Sequence, residues 1–402
     1  MINNNPQVDI AIIGGGIAGL WLLTRLRQAC YSAILLEANT IGGGQTYQSQ
    51  GIIHGGLKYA LHGVLTDEAK VMAEMPARWQ TALNGSGEID LTGVNILSDK
   101  QYLFASNKFT AKIAGFFAGM SLSSKVESLS VDQYPQVFQT PAFKGDLYAL
   151  NESVIDVPSL LSVLFQANRE VIFKVDQFTP NELHCESDGS VRAITLVQQQ
   201  RKVEIAVKYV IFAAGSGNEV FLLNEKIQMQ RRPLQMVMLC MEGLPPLYAH
   251  CLALGARPRL TITTHYLSTG LPVWYLGGLL AEEGVTRTKE EQIEAAKREL
   301  KSVFPWVSFA RAQFATHFVD RAEPKEMTGL KPNDVFCKAI HNQIITWPIK
   351  LAFAPRLSDQ VLEYLQKVAC KKEPGGLSML SSFVSPSLST PLWEECFCKK
   401  DN

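Results

Sequence analysis

The chain has no charge bias, no apolar run of membrane length, no paired cysteine motif and no histidines at metal-ligand spacing. Each absence narrows what it can be. Lys+Arg and Asp+Glu stand at 38 each in 402 residues, with a sequence pI near 7. That balance gives no reason to expect a nucleic acid or an anionic membrane as partner. The longest apolar runs, such as IAGFFAGM (113–120), fall far short of the ~20 residues a spanning helix needs. Only MINNNPQVD precedes the first apolar run, without the basic and apolar regions of a secretion signal. Eight cysteines are scattered along the chain and only Cys396 and Cys398 sit close together, so free thiols in a reducing cytosol are expected. None of the seven histidines falls in an HxH, HxxxH or HExxH pattern, and no metal site is expected. The expectation is a soluble cytoplasmic protein of two domains, which a 47% hydrophobic composition can supply with cores.

What is present begins at the N-terminus. VDIAII (8–13) reads as a buried strand, and GGGIAG (14–19) follows it with G-x-G-x-x-G spacing at Gly14, Gly16 and Gly19. IAGLWLLTRLRQAC (17–30) repeats apolar residues at helical spacing, and AILLE (33–37) returns as a second strand ending in Glu37. Each part suits a bound dinucleotide. Gly14 permits the tight turn, Gly16 lets a pyrophosphate approach the backbone, and Gly19 lets helix and strand pack closely. The helix start offers unpaired N–H groups. Glu37 stands where a carboxylate accepts both hydrogen bonds of an adenosine ribose. No Arg or Lys directly follows Glu37 to take a 2′-phosphate, which leaves FAD or NAD.

Three features favour FAD. After Glu37 the chain continues as ANTIGGGQTYQSQGIIHGGLKYA, where glycines permit close approach of a flat ring and Thr46, Ser49 and Gln50 offer hydrogen bonds. YVIFAAGSG (209–217) is another buried strand running into a glycine turn, suited to the same sheet. No second GxGxxG occurs, so no separate NAD(P)H domain is expected.

GGGIAGL, LLEANTIGGGQT, SQGIIHGGLKY, ESVIDVPSLLSVL (152–164), YVIFAAGSG and KLAFAP (350–355) together resemble the D-amino-acid-oxidase superfamily of FAD enzymes. That group includes glycine and sarcosine oxidases, glycerol-3-phosphate dehydrogenase and L-2-hydroxyglutarate oxidase. The His-Gly-Gly-Leu-Lys-Tyr run (54–59) is most similar to the last two. The resemblance implies an α/β fold: a Rossmann-like FAD-binding domain, discontinuous in sequence, and a second antiparallel-sheet substrate domain. The first would comprise residues 1–80, 151–230 and 331–370, and the second residues 81–150 and 231–330. Residues 371–402 would form a C-terminal tail, flexible or docked on its own body. It also implies that Ser49 and Gln50 contact the flavin, that Val175 brackets the adenine through its backbone, and that Ala213, Ala214 and Gly215 line the pyrophosphate.

One segment departs from the family. The C-terminal flavin loop, which in the amine-oxidising members resembles R-x-G-x-x-x-A-P, here reads NQIITWPIKLAFAP (342–355), with Lys350 at the glycine position and Pro348 at the arginine. Lys350 either places a cation near the flavin edge where negative charge develops, or simply caps a helix or points to solvent. Arg321, in FVDRAEP (318–324), either holds a substrate carboxylate or pairs with Asp320 or Glu323. Arg231 and Arg232 carry a similar ambiguity. For His54 three readings stand: general base beside the flavin, covalent flavin attachment, or a histidine that holds the glycine loop. His250 and His265 lie near the expected substrate sheet.

The expected function is oxidation of a small hydroxy acid or amine by hydride transfer to flavin N5, with oxygen or a quinone as electron acceptor. Two alternatives remain: a binding or assembly protein with a structural flavin, and a flavin enzyme acting on a macromolecule-attached amine.

Overall fold

A computed structural model describes residues 6–55, 67–105, 126–222, 227–252, 258–325, 334–368, 370 and 380–398. The Gly56–Tyr59 part of the histidine run and IAGFFAGM lie outside the described residues.

The opening unit is strand β1 (Gln7–Ile13), helix α1 (Ile17–Gln28) and strand β2 (Ala33–Glu37). All of β1 after Gln7, and β2 up to Leu36, is buried, which matches runs that are apolar without alternation. Five parallel strands form the heart of the first sheet, in the order Gln343–Trp347, Arg201–Phe212, β1, β2 and Ile172–Lys174. Phe336–Ile340 and the Val191–Gln198 hairpin partner add antiparallel edges. The strand carrying YVIF thus lies beside β1, and both run into glycine turns at the same end of the sheet. This is a Rossmann-like arrangement.

Helix α2 (Asp67–Leu83) is moored to the C-terminal part of the chain. Trp79 Nε1 donates to the Ala352 carbonyl at 2.9 Å, and Arg78 holds Asp359 at 2.7 and 3.1 Å.

A second eight-stranded sheet has the order Gln313–Pro324, Met229–Cys240, Pro272–Gly277, Leu260–Tyr266, Ala249–Leu252, Gln101–Ala105, Leu147–Leu150 and Val126–Ser128. Its pairings are antiparallel except that Ala249–Leu252 runs parallel to Gln101–Ala105. Those two strands come from segments separated by a passage through the first sheet, so no hairpin dictates their relative direction. The outer face packs on the amphipathic helix Lys289–Val303, whose start carries a Thr288–Glu291 capping box. The inner face is unusual for a core surface: Thr261, Thr263, His265 and His250 are buried there beside Met236, Met238 and Tyr275.

The C-terminal segment is laced into both sheets. Ile41 N–H donates to the Ser387 carbonyl at 2.9 Å, Ser389 N–H donates back to Ile41 at 3.1 Å, and Lys174 N–H donates to Val384 at 2.9 Å. Helix Leu392–Phe397 then lays Trp393 flat on His265, with ring centroids 4.1 Å apart and an interplanar angle of 18°. The apolar residues of the tail therefore dock on the body of the same chain.

That docking has a consequence for acid stability. Burial holds the His265 imidazole down to about 3 from its ordinary 6.5. The folded state keeps this ring neutral, whereas the unfolded chain takes up a proton below pH 6.5. Its contribution is complete above pH 6.5 and is lost as pH falls towards 3, by up to about 1.4 kcal/mol per pH unit. Urea unfolding at pH 7.5 and pH 5 should show this loss, and His265→Gln should reduce the difference between the two.

Candidate active site

The two glycine turns meet at the ends of adjacent parallel strands. Gly14 has φ +113°, and its N–H donates to the Leu36 carbonyl at 2.9 Å. A Cβ at Gly14 would lie 2.6 Å from Ala214 Cα and 2.7 Å from the Ala213 oxygen. A Cβ at Gly19 would collide with the Gly14 carbonyl oxygen, so this glycine seats α1 against the turn. Gly16 begins α1 and has no side chain to cap it. Thr46 does so from a distance, its Oγ1 accepting the Ile17 N–H at 3.1 Å.

Glu37 accepts the Gly15 N–H at 2.6 Å on Oε2 and the Asn39 N–H at 2.7 Å on Oε1. The carboxylate is thereby aimed along the glycine turn. Lys174, its neighbour across the strands, directs its ammonium to the Ala38 and Asn39 carbonyls. Val175, expected to bracket the adenine, gives its N–H to the Glu37 carbonyl at 3.0 Å. Ala213 N–H donates to Ile13 at 2.8 Å, Ala214 N–H donates to Asn218 Oδ1 at 2.9 Å, and the Gly215 carbonyl accepts Trp347 Nε1 at 2.9 Å. This second turn is held rigidly on three sides.

The loop after β2 bridges the two sheets. Gln45 Oε1 accepts the Ala322 N–H at 3.1 Å, Gln48 Nε2 lies 3.2 Å from His317 Nε2, and Tyr275 Oη donates to the Gln48 carbonyl at 3.0 Å. The Gln50 amide donates to the Tyr275 carbonyl at 2.8 Å and to Thr263 Oγ1 at 3.3 Å. Ser49 differs from its neighbours. Its Oγ is buried and has no hydrogen-bond partner among the described residues, which is what a hydroxyl reserved for a ligand looks like.

The three catalytic candidates stand on three different elements. His54, on the glycine loop, places Nδ1 3.5 Å from Glu152 Oε2. The other carboxylate oxygen of Glu152 accepts the Gly55 N–H at 2.6 Å. The His54 ring lies nearly parallel to that of His250, with centroids 5.9 Å apart, and His250 Nδ1 is 2.8 Å from Thr261 Oγ1. Gly55 and Glu152 line a cavity of about 500 Å³ with Pro76, Gln80, Lys100 and Asn151. Sequence reasoning missed Glu152 and gave His250 little weight. The only available sign was that Glu152 opens the ESVIDVP run.

Arg321 is paired across the strands with Arg232, and its Nε donates to the Arg232 carbonyl at 3.1 Å. The carboxylates expected to compete for it are engaged by its neighbours: Asp320 by Arg231, and Glu323 by Arg232 at 3.1 Å. Lys350 Nζ sits 3.5 Å from Met72 Sδ on α2 and 5.1 Å from the centre of the Phe353 ring. Its backbone is extended, so replacing glycine here costs nothing conformationally. The left-handed bend falls instead on Ile349, with φ +53°.

This cradle can take a long dinucleotide: glycine where backbone must come close, a carboxylate at the end of β2, an unpartnered buried hydroxyl, and a loop reaching the second sheet. Comparison with known proteins agrees. The family model "FAD dependent oxidoreductase" (DAO) matches residues 9–333. The probable FAD-dependent oxidoreductase PA4991 of Pseudomonas aeruginosa is 42% identical over 395 residues, 97% of this chain and 98% of that protein. Its crystal structure superposes with a TM-score of 0.84 at 36% identity, covering 98% and 99% of the two chains. An FAD-bound L-α-glycerophosphate oxidase from Mycoplasma pneumoniae shares the fold, with a TM-score of 0.63 at 16% identity over 90% of this chain and 95% of that one. Glycine oxidase from Geobacillus kaustophilus does likewise, at 0.61 and 13% over 96% and 100%. The chain therefore belongs to the DAO family of FAD-dependent oxidoreductases, and FAD is its cofactor.

Proposed function

We propose that the chain oxidises a small hydroxy acid or amine at the C–H bond next to oxygen or nitrogen. FAD, when bound, would supply the two-electron acceptor for the hydride. The observation that carries this reading is His54. It is a half-buried imidazole on the loop that follows the dinucleotide strand, with a buried carboxylate on one side and the second sheet on the other. Such a group is placed to take the hydroxyl or amine proton as the carbon loses its hydrogen.

The remaining assignments follow the same reading. Gly14, Gly16, Gly19, Thr46, Ala213, Ala214 and Gly215 hold the pyrophosphate, Glu37 the ribose, Val175 the adenine, and Ser49 the flavin. Gln50 acts one layer out, tying the flavin loop to the substrate sheet. Arg321 receives a substrate carboxylate, and Lys350 offsets negative charge near the cofactor. Residues 1–80, 151–230 and 331–370 form the flavin-binding domain and residues 81–150 and 231–330 the substrate domain.

Anaerobic flavin reduction tests the reading. With a panel of 2-hydroxy acids, amino acids and polyol phosphates, at least one compound is expected to bleach the visible flavin absorbance. A flavin that dithionite reduces but no member of the panel does would overturn it. Oxygen or a quinone analogue, added after bleaching, identifies the electron acceptor.

A further inference from the structure

We infer that Glu152 is a positioning residue, which keeps the proton of neutral His54 on Nδ1 and so makes Nε2 the atom that accepts the substrate proton. This rests on the reading of His54 as the base.

Glu152 is only 6% exposed, and it follows the Leu147–Leu150 strand of the second sheet. A carboxylate so deeply placed needs partners of opposite polarity. It has the Gly55 N–H at 2.6 Å on one oxygen and His54 Nδ1 at 3.5 Å from the other. The glycine at 55 makes this approach possible: a Cβ there would lie 3.0 Å from Pro76 Cγ and 3.2 Å from Glu152 Oε1. This glycine therefore admits a carboxylate to the loop backbone, whatever the flavin requires of its neighbours.

A carboxylate charge 3.5 Å from Nδ1 favours hydrogen on the imidazole nitrogen that faces it. The opposite nitrogen of the neutral ring then holds the lone pair. When Nε2 takes a proton, the resulting imidazolium lies beside the Glu152 charge, which favours it. Glu152 and His250 both face the ring. Asp99 and Lys100 line the adjoining cavity, and Lys100 is paired with Glu127 at 2.7 Å. His250 Nδ1 lies 2.8 Å from the Thr261 hydroxyl oxygen.

The test uses FAD-loaded full-length protein labelled with ¹⁵N-histidine, with the His54 signals assigned through His54→Gln. Long-range nitrogen–proton correlations report the tautomer directly and need no substrate. Neutral His54 is expected as the Nδ1–H form. In Glu152→Gln, whose amide oxygen still accepts the Gly55 N–H, the midpoint of its titration should fall by about one pH unit. Glu152→Asp should recover part of that change. An Nε2–H tautomer in the wild type, or a midpoint unmoved in Glu152→Gln, overturns the inference. If Glu152→Gln does not fold, the wild-type tautomer still decides. The reading of His54 as base fails separately, if His54→Gln leaves anaerobic flavin reduction unchanged.

Discussion

Gly14→Ala is expected to give a colourless and poorly stable protein. Two costs fall on one methyl group. The backbone at Gly14 has φ +113°, a region that residues with a Cβ rarely adopt. The methyl would also sit 2.6–2.8 Å from the Ala213 and Ala214 backbone, which is itself tied to β1 by the Ala213 N–H to Ile13 bond at 2.8 Å. Neither partner can yield without breaking the parallel ladder at its end. Strain and overpacking together amount to about 3–5 kcal/mol, a large share of the stability of an ordinary domain. The turn that opens is the one that must meet the pyrophosphate, so flavin should be lost along with stability. Gly270→Ala, in a hairpin turn of the second sheet, is the matching control: its φ is +83° and a Cβ there would meet nothing within 4 Å, so it carries the backbone cost without the collision. The ratio of flavin to protein absorbance and the urea midpoint measure both. A Gly14→Ala protein with full flavin content would show that the cradle tolerates what its geometry forbids.

The second large effect is expected at His54. His54→Ala should retain its flavin and its unfolding midpoint while anaerobic reduction slows by roughly 10²–10⁴-fold. Retained cofactor matters, because it separates the base reading from a histidine that merely holds the glycine loop. In the latter case flavin content and stability fall and the reduction rate per bound flavin does not. Acid precipitation of the wild type resolves covalent attachment, since a flavin joined to His54 stays with the pellet.

How far these expectations were legible differs along the chain. The β1–α1–β2 unit could be read outright, because its parts lie within about thirty residues and each has a local physical signature: an apolar run, a glycine spacing, a helical period and a terminal acid. The glycine-rich loop could be read only in part. Its glycines signalled close approach, but not to what. Gly55 admits Glu152, ninety-seven residues away, and Gln50 reaches the Tyr275 strand, so neither side chain had a local sign of its partner. Lys350 was visible as a departure from the family pattern. That Ile349 takes the left-handed bend, and that the ammonium meets Met72 and Phe353, required the packed structure.

Local order therefore settled the cofactor class, because dinucleotide recognition is built mainly from backbone groups in one short segment, and backbone demands leave glycine at set positions. The chemistry proposed for His54 rests on tertiary structure. His54 acquires a meaning only when the second sheet brings His250 to one face of its ring and Glu152 to its Nδ1. The lone-pair direction proposed for it depends on contacts between segments far apart in the chain, which no spacing along the sequence records.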